Sequence, residues 1–252
     1  MDEELTEKLK YIHLTDLLAN WDHYLQMAAK SNFSHGQLLT YIVVEQYKIK
    51  RENARKMRLR RAQIPEQLLM ETFPFDKQPA LNKKKILALY DSFEFICNSE
   101  NIIWIGPTGA GKTGLATAFL MQAIEHGYTG YFITFPELVE KLYKSVADHS
   151  EEKIIKTFAA YDCLLIDELG YAEVEPVQVG LFFTLMNKRH KRKSTLITTN
   201  LGFSEWVTFL KNDHLTAALI DRLTESTNII NMKKCVSLRP KLEQVREALS
   251  TQ

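Results

Sequence analysis

The stretch GPTGAGKT, residues 106–113, decides how this sequence is read. It fits the pattern G-x-x-x-x-G-K-[ST] in full, with an apolar run at 102–105 before it and a helical pattern at 112–126 after it, the context the motif needs. The loop formed by Gly106, Pro107, Thr108, Gly109, Ala110 and Gly111 can aim backbone N–H groups at phosphate oxygens, because its glycines permit the tight turn. The helix start that follows adds partial positive charge. Lys112 is placed to reach the β- and γ-phosphates of ATP, and the Thr113 hydroxyl to ligate Mg2+. The bland alternative is a Gly-rich turn that binds nothing. An eight-residue match in the right context argues against it.

Outward from this loop the chain alternates short apolar runs with helical patterns. The runs lie at 102–105, 130–135, 163–167, 195–200 and, more weakly, 227–232. Short, nearly all-apolar strands separated by helices mean a parallel sheet covered on both faces. The expected fold class is therefore α/β, a P-loop parallel five-stranded sheet flanked by helices over 83–241. Gly127 should stop the helix after the loop, and Pro136 stands where proline opens a helix. Residues 1–63 contain no proline and carry Leu5, Leu9 and Ile12, then Leu14, Leu17, Leu18 and Trp21, at helical spacing. They predict a small all-helical N-terminal domain for DNA or partner binding. Between the two, 64–82 holds Pro65, Pro74 and Pro79 around Phe73 and Phe75 and reads as an extended connector. Residues 242–252 read as a C-terminal tail.

The run CLLIDE ends in two acids. Asp167, at the strand's end, would hold Mg2+ opposite Thr113. Glu168 can orient and deprotonate an attacking water. A solvated strand end is the alternative, and the upstream loop weighs against it. Asn200 stands at the tip of another apolar run. Strand tips on one edge of such a sheet face the ligand crevice, so Asn200 can position water, unless it only caps the next helix. Arg222, on a later helical pattern, can stabilise charge at a neighbour's γ-phosphate or pair with Asp221 or Glu225.

Composition narrows the rest. Apolar residues are 45% and charged residues 25%, the balance of an ordinary globular protein, and the net charge of +1 names no partner. Cys97, Cys163 and Cys235 are scattered and odd in number, which gives no metal spacing and no disulfide framework. The acidic start MDEELTEKLK is unlike a signal peptide, and no apolar run is long enough to cross a bilayer. The expectation is a cytoplasmic protein with no membrane partner.

Charge is concentrated in KIKRENARKMRLRR, residues 48–61, with eight basic residues and one acid. On a helix, Lys48, Arg51, Arg55 and Arg58 would form one stripe, with Lys56 and Arg60 beside it, and Lys50 and Arg61 are further candidate DNA contacts. Such a stripe offers phosphate contact without sequence readout. A solvated helix face is the alternative. A second basic run, 188–193, contains Arg189 and Arg192. It either complements a helix C-terminus or reaches a subunit interface.

The order of these parts resembles the initiator and helicase-loader branch of the AAA+ ATPases, and most closely the IstB-like transposition helpers. The likeness runs from about Arg51 to Lys241 and is carried by RRAQIPEQLLMETFPFDKQPALNKK, GPTGAGKT, CLLIDELGY and the block STLITTNLGFSEW with LTAALIDRL. It implies an ATP-hydrolysing AAA+ protein, stimulated by DNA and bacterial. Such a protein oligomerises on duplex DNA, takes ATP and Mg2+ at subunit interfaces, and regulates target selection and activity of a cognate transposase. Lys112, Glu168, Asn200 and Arg222 would be its catalytic residues, Arg222 acting on the neighbouring subunit. The segment 136–160 falls where this branch carries a DNA-tracking helix, so Lys141 and Lys144, and further on Lys153 and Lys156, join the candidate DNA contacts. A DnaC-like helicase loader acting on single strands shares these ATPase residues and is the first alternative. A small-molecule P-loop kinase and a DNA-coating protein that recruits no transposase are others. The tail MKKCVSLRPKL departs from the family's Gly-containing, Tyr-Arg-bearing strand. Too few residues follow for a helical lid, so no second-sensor arginine is assigned and Arg239 is a remote candidate.

Overall fold

A computed structural model describes residues 2–171 and 173–239. The chain divides into two compact units, Met1–Met57 and Arg58–Gln252. The first contains α1 (Glu3–Tyr11), α2 (Thr15–Ala19), α3 (Trp21–Lys30) and most of α4 (His35–Arg61). Helix α1 starts where the Asp2 carboxylate accepts the Glu4 N–H at 3.3 Å, with Glu3 and Glu4 complementing the helix dipole. Leu9, Leu17 and Tyr24 form its small core. Beside that core the buried Gln46 amide donates to Asp16 at 2.9 Å and to the Tyr24 hydroxyl at 3.3 Å. Removing Gln46 would leave a buried phenol and a carboxylate short of a partner.

The second unit opens on the end of α4, and residues 64–82 after it contain two single 3-10 turns, Met70–Thr72 and Phe75–Lys77. Met70, Phe75, Gln78 and Leu81 are buried there, so this segment is part of the core rather than an extended connector. Its prolines break helices, while its apolar side chains still need cover, and the sequence pattern showed only the first of these effects. Next come α5 (Lys83–Ser92), α6 (Glu94–Cys97), β1 (Asn101–Ile105), α7 (Lys112–Glu125), β2 (Gly130–Thr134), α8 (Phe135–Ala147) and α9 (Glu151–Ala160). They are followed by β3 (Cys163–Leu169), α10 (Pro176–Arg189), β4 (Ser194–Thr199), α11 (Phe203–Leu210), α12 (Asp213–Thr224) and β5 (Thr227–Asn231).

The five strands pair in parallel in the order β2-β3-β4-β1-β5. Alternation along each strand splits the core between the two faces. Ile102, Trp104, Leu165 and Leu196 pack under α7, while Ile103, Leu164, Ile166 and Ile197 pack against the helices of the opposite face. Helix α7 is apolar nearly all round, from Leu115 to Ile124, because it lies buried between the sheet and the packed 64–82 segment. The outer edge of β2 is not left open, since the Phe132 N–H donates to the Ala62 carbonyl at 2.8 Å. Helix α8 begins as Pro136 suggested, with Thr134 and Glu137 forming a capping box.

Arg189 corrects one expectation. At 1% exposure it cannot reach another subunit. Its Nε donates to Thr195 at 3.0 Å, and its Nη atoms donate to the carbonyls of Phe158 at 2.9 Å, Tyr161 at 2.7 Å and Ser194. It closes the ends of α9 and α10 onto the start of β4. Among the described residues no helix follows β5, and none is long and apolar enough to cross a membrane. The tail expected over 242–252 lies outside the described residues.

Candidate active site

The sheet positions the site by its order. Strand β4 lies between β1, which feeds the phosphate loop, and β3, which ends in the two acids. All three deliver their C-terminal ends to one crevice, where ligands bind open parallel sheets. Gly109 and Gly111 have φ of +82° and +93°, a left-handed conformation that costs glycine little. A Cβ at Gly111 would lie 2.7 Å from the Phe73 ring. Packing therefore requires that glycine as much as the turn does.

Behind the loop, the Lys112 ammonium donates to the carbonyls of Gly106 at 2.8 Å and Pro107 at 2.9 Å. Burial holds its pKa below the usual lysine value, against the pull of Asp167 and Glu168. The Thr113 hydroxyl reaches both Asp167 oxygens, at 3.0 and 3.1 Å. A hydroxyl and a carboxylate this close are the oxygen donors a small hard cation takes, so the pair fits Mg2+. When bound, that ion would neutralise phosphate charge.

Asp167 is buried, and burial raises its pKa, while hydrogen bonds from Thr198 and Thr113 pull it back down. Thr198 is a site residue that sequence reasoning missed. Its hydroxyl donates to Asp167 and accepts the Glu168 N–H at 3.0 Å. The neighbouring Thr199 hydroxyl donates to the Leu169 carbonyl at 2.7 Å. The available signal was a pair of threonines inside an otherwise apolar buried strand, where each hydroxyl needs a partner. The β3–β4 register shifts between Ile166 and Leu169, and Glu168 has a φ of +62°. Non-glycine residues rarely adopt that conformation, and it costs on the order of 1–3 kcal/mol. The bulge turns Glu168 out of the strand and into the exposed mouth of the site, where its carboxylate can take a proton from water.

A Thr198→Val variant tests this reading. With the hydroxyl gone, burial acts on Asp167 with less opposition and its neutral form gains ground. The acid limb of ATP turnover should therefore move to higher pH, and half-maximal activation should need more Mg2+. Both shifts are read from a pH–rate series at several Mg2+ concentrations. An unmoved acid limb would count against the role of Thr198.

The expected site residues divide between one cavity and positions outside it. Lys112, Thr113, Glu168, Thr108 and Tyr171 share a cavity of about 150 Å3, and the Tyr171 and Thr108 hydroxyls are 2.7 Å apart at its mouth. Asn200 lies one residue past β4, exposed, with its Oδ1 toward Gly170. It does not cap α11, because Gly202 takes that position and donates its N–H to Glu205 at 2.6 Å. Arg222 makes neither of the ion pairs considered for it. Its guanidinium lies 4.8 Å over the Phe183 ring, while Glu225 pairs with Lys191 and His190. One Arg222 nitrogen, Nη1, is buried without a hydrogen-bond partner.

Among the basic candidates, Lys48, Lys50, Arg51, Lys56, Arg60 and Arg61 are exposed on α4, and Lys48 pairs with Glu45 at 2.7 Å. Arg55 is half-buried and pairs with Glu52 at 3.1 Å, and Arg58 is also half-buried. Lys141 and Lys144 are exposed on α8, in a groove that continues to Asp167 and Glu168. Lys144 pairs with Glu140 at 2.5 Å, and Lys156 with Glu152 at 2.9 Å.

The putative ATP-binding protein of insertion sequence IS5376 from Geobacillus stearothermophilus is 30% identical over 92% of both chains. AMPPCP-bound DnaA from Aquifex aeolicus has a similar fold, at 16% identity and a TM-score of 0.56, over 75% of this chain and 56% of that one. The DnaC helicase loader is 23% identical with a TM-score of 0.51, over 60% of this chain and 88% of that one. These two likenesses are of the AAA+ fold. The family model described as IstB-like ATP binding protein matches residues 7–245, and the chain belongs to that family.

Proposed function

We propose that this chain is an ATP-hydrolysing, DNA-binding AAA+ protein of the bacterial cytoplasm. In this reading it oligomerises on duplex DNA and regulates target selection and transposase activity during insertion-sequence transposition. The observation that carries the proposal is the joining of Thr113, Asp167, Thr198 and Glu168 at the phosphate loop, in a chain whose relative belongs to an insertion sequence. ATP binds at Gly106–Thr113 with Mg2+ on Thr113 and Asp167, and Glu168 activates water. Arg222 of one subunit completes the site of the next. Its guanidinium rests on the Phe183 ring and takes part in no ion pair among the described residues, which supports this role. The exposed cations of α4, with Lys141 and Lys144 on α8, meet phosphates.

The test uses Glu168→Gln protein, which should hold the ATP state, on matched duplex and single-stranded DNA across a salt series. ATP-dependent oligomers on duplex are expected, with a logarithmic salt slope of roughly −0.9 per phosphate neutralised. Exchanging Lys50 or Arg51 for alanine should each reduce that slope by about one without changing sequence preference. Preference for single strands would move the reading to helicase loading, and loss of all ATP-dependent DNA binding would sink both.

A further inference from the structure

Strand β3 ends in a tight turn, residues 168–171, that carries a second side chain to the phosphate cavity. Glu168 and Gly170 have φ of +62° and +108°, and the Tyr171 N–H donates back to the Glu168 carbonyl at 3.3 Å. The turn is pressed against the end of β4. A Cβ on Gly170 would lie 2.6 Å from the Leu201 side chain and 3.1 Å from the Asn200 Oδ1. Glu168 and Tyr171 are thereby presented to one cavity, which Lys112, Thr113, Thr198 and Arg239 also line.

Tyr171 belongs to neither face of the core, and its side chain is largely exposed. Its polar contact is with the phosphate loop, where its hydroxyl lies 2.7 Å from that of Thr108. Two hydroxyls in contact spend one proton on each other and keep one to donate. Among the described residues neither hydroxyl has another protein partner, so that proton is unspent within the chain. A phenol donates more strongly than an alkyl hydroxyl, so the favoured order is Thr108 giving to Tyr171 and Tyr171 giving to an outside acceptor. The acceptor this cavity suits is a phosphate oxygen beside Glu168, because charged acceptors make the strongest hydrogen bonds.

We infer that the Tyr171 hydroxyl, set in place by Thr108, donates to the terminal phosphate of ATP. The inference rests on the ATPase reading and deepens it. It makes Tyr171 a determinant of ATP over ADP and places that contact three residues from Glu168, on the same turn. Thr108 is a positioning residue that acts through the phenol.

The experiment titrates Glu168→Gln protein with Mg-ATP and with Mg-ADP, alone and carrying Tyr171→Phe, Thr108→Val or both. Phenylalanine keeps the ring and loses the hydroxyl. It should weaken ATP by about 10-fold and leave ADP within about twofold, so that ADP binding also reports an intact fold. Thr108→Val should cost ATP about threefold beside Tyr171 and nothing further beside Phe, since the two hydroxyls act as one unit. A pair that only props the loop predicts equal losses for both nucleotides, and that result overturns the inference. So does an unchanged ATP affinity in Tyr171→Phe, and so do losses that add in the double variant. If the Glu168→Gln parent binds neither nucleotide, the ATP-binding reading fails and takes this inference with it. A parent that binds both while Tyr171→Phe does not discriminate overturns this inference alone.

Discussion

Glu168→Gln should reduce steady-state ATP turnover by about 10²–10⁴-fold, the usual range for removing a positioned general base. The geometry explains why the loss should be specific. The Glu168 N–H is pinned to Thr198 at 3.0 Å, and its φ of +62° turns the side chain out of β3 into the mouth of the phosphate cavity. Glutamine keeps the size and the backbone contacts but cannot accept the water's proton. Lys112, Thr113 and Asp167 are untouched, so nucleotide affinity should stay within about threefold. Phosphate release and equilibrium nucleotide binding, measured on the same protein, separate these effects. Turnover within a few-fold of the parent would remove Glu168 from the chemistry. A parallel collapse of binding would instead show that the bulge was holding the loop.

The second large effect is on stability. Arg189→Leu removes a guanidinium that lies almost wholly inside the fold, with burial pushing its pKa down to about 10, so that it is still charged at neutral pH. Leucine fills part of the volume but donates nothing. The carbonyls of Phe158, Tyr161 and Ser194 and the Thr195 hydroxyl then lose a donor in a region closed to solvent. Each buried group left unsatisfied costs about 1–3 kcal/mol, and partial relaxation should bring the total to about 3–4 kcal/mol. At roughly 2–4 °C per kcal/mol for a unit of this size, the melting temperature should fall by on the order of 10 °C. Arg192→Leu, an exposed neighbour, serves as the control and should change little. Equal melting temperatures for the two variants would show that the carbonyls find other donors.

Arg189 also shows where the sequence misleads. In the run 188–193 it is one cation among several, and nothing local marks it as buried. Its partners lie at 158–161 and 194–195, brought together only when α9 and α10 pack on β4. The 64–82 segment gives the opposite case, since its prolines signalled a break in regular structure while its packing onto the phosphate loop depended on residues far along the chain. Gln78 bonds to Val236, a contact that spans most of the second unit. Thr198 was passed over for Asn200 because a polar residue at a strand tip is conspicuous and a threonine inside an apolar strand is not.

The phosphate-loop pattern is local. The phosphate loop needs glycines, a lysine and a hydroxyl in a fixed short order, so one stretch of chain carries the whole signal. The inner strands β1, β3 and β4 were legible for the same reason, because strands buried on both faces must read as apolar runs, whereas the edge strand β5 is half exposed and read only weakly. Strand order was not legible, because any permutation of parallel strands buries the same side chains. Only the tertiary structure inserts β4 between β1 and β3, and that insertion brings Thr198 to Asp167, turns Glu168 outward and leaves β1 beside β5. The chain that follows β5 can then return to the loop with Arg239. Sequence sets which groups the chain carries, and packing sets which of them meet, because the hydrogen bonds that join Thr113, Asp167, Thr198 and Glu168 link strands and a helix that the chain itself keeps apart.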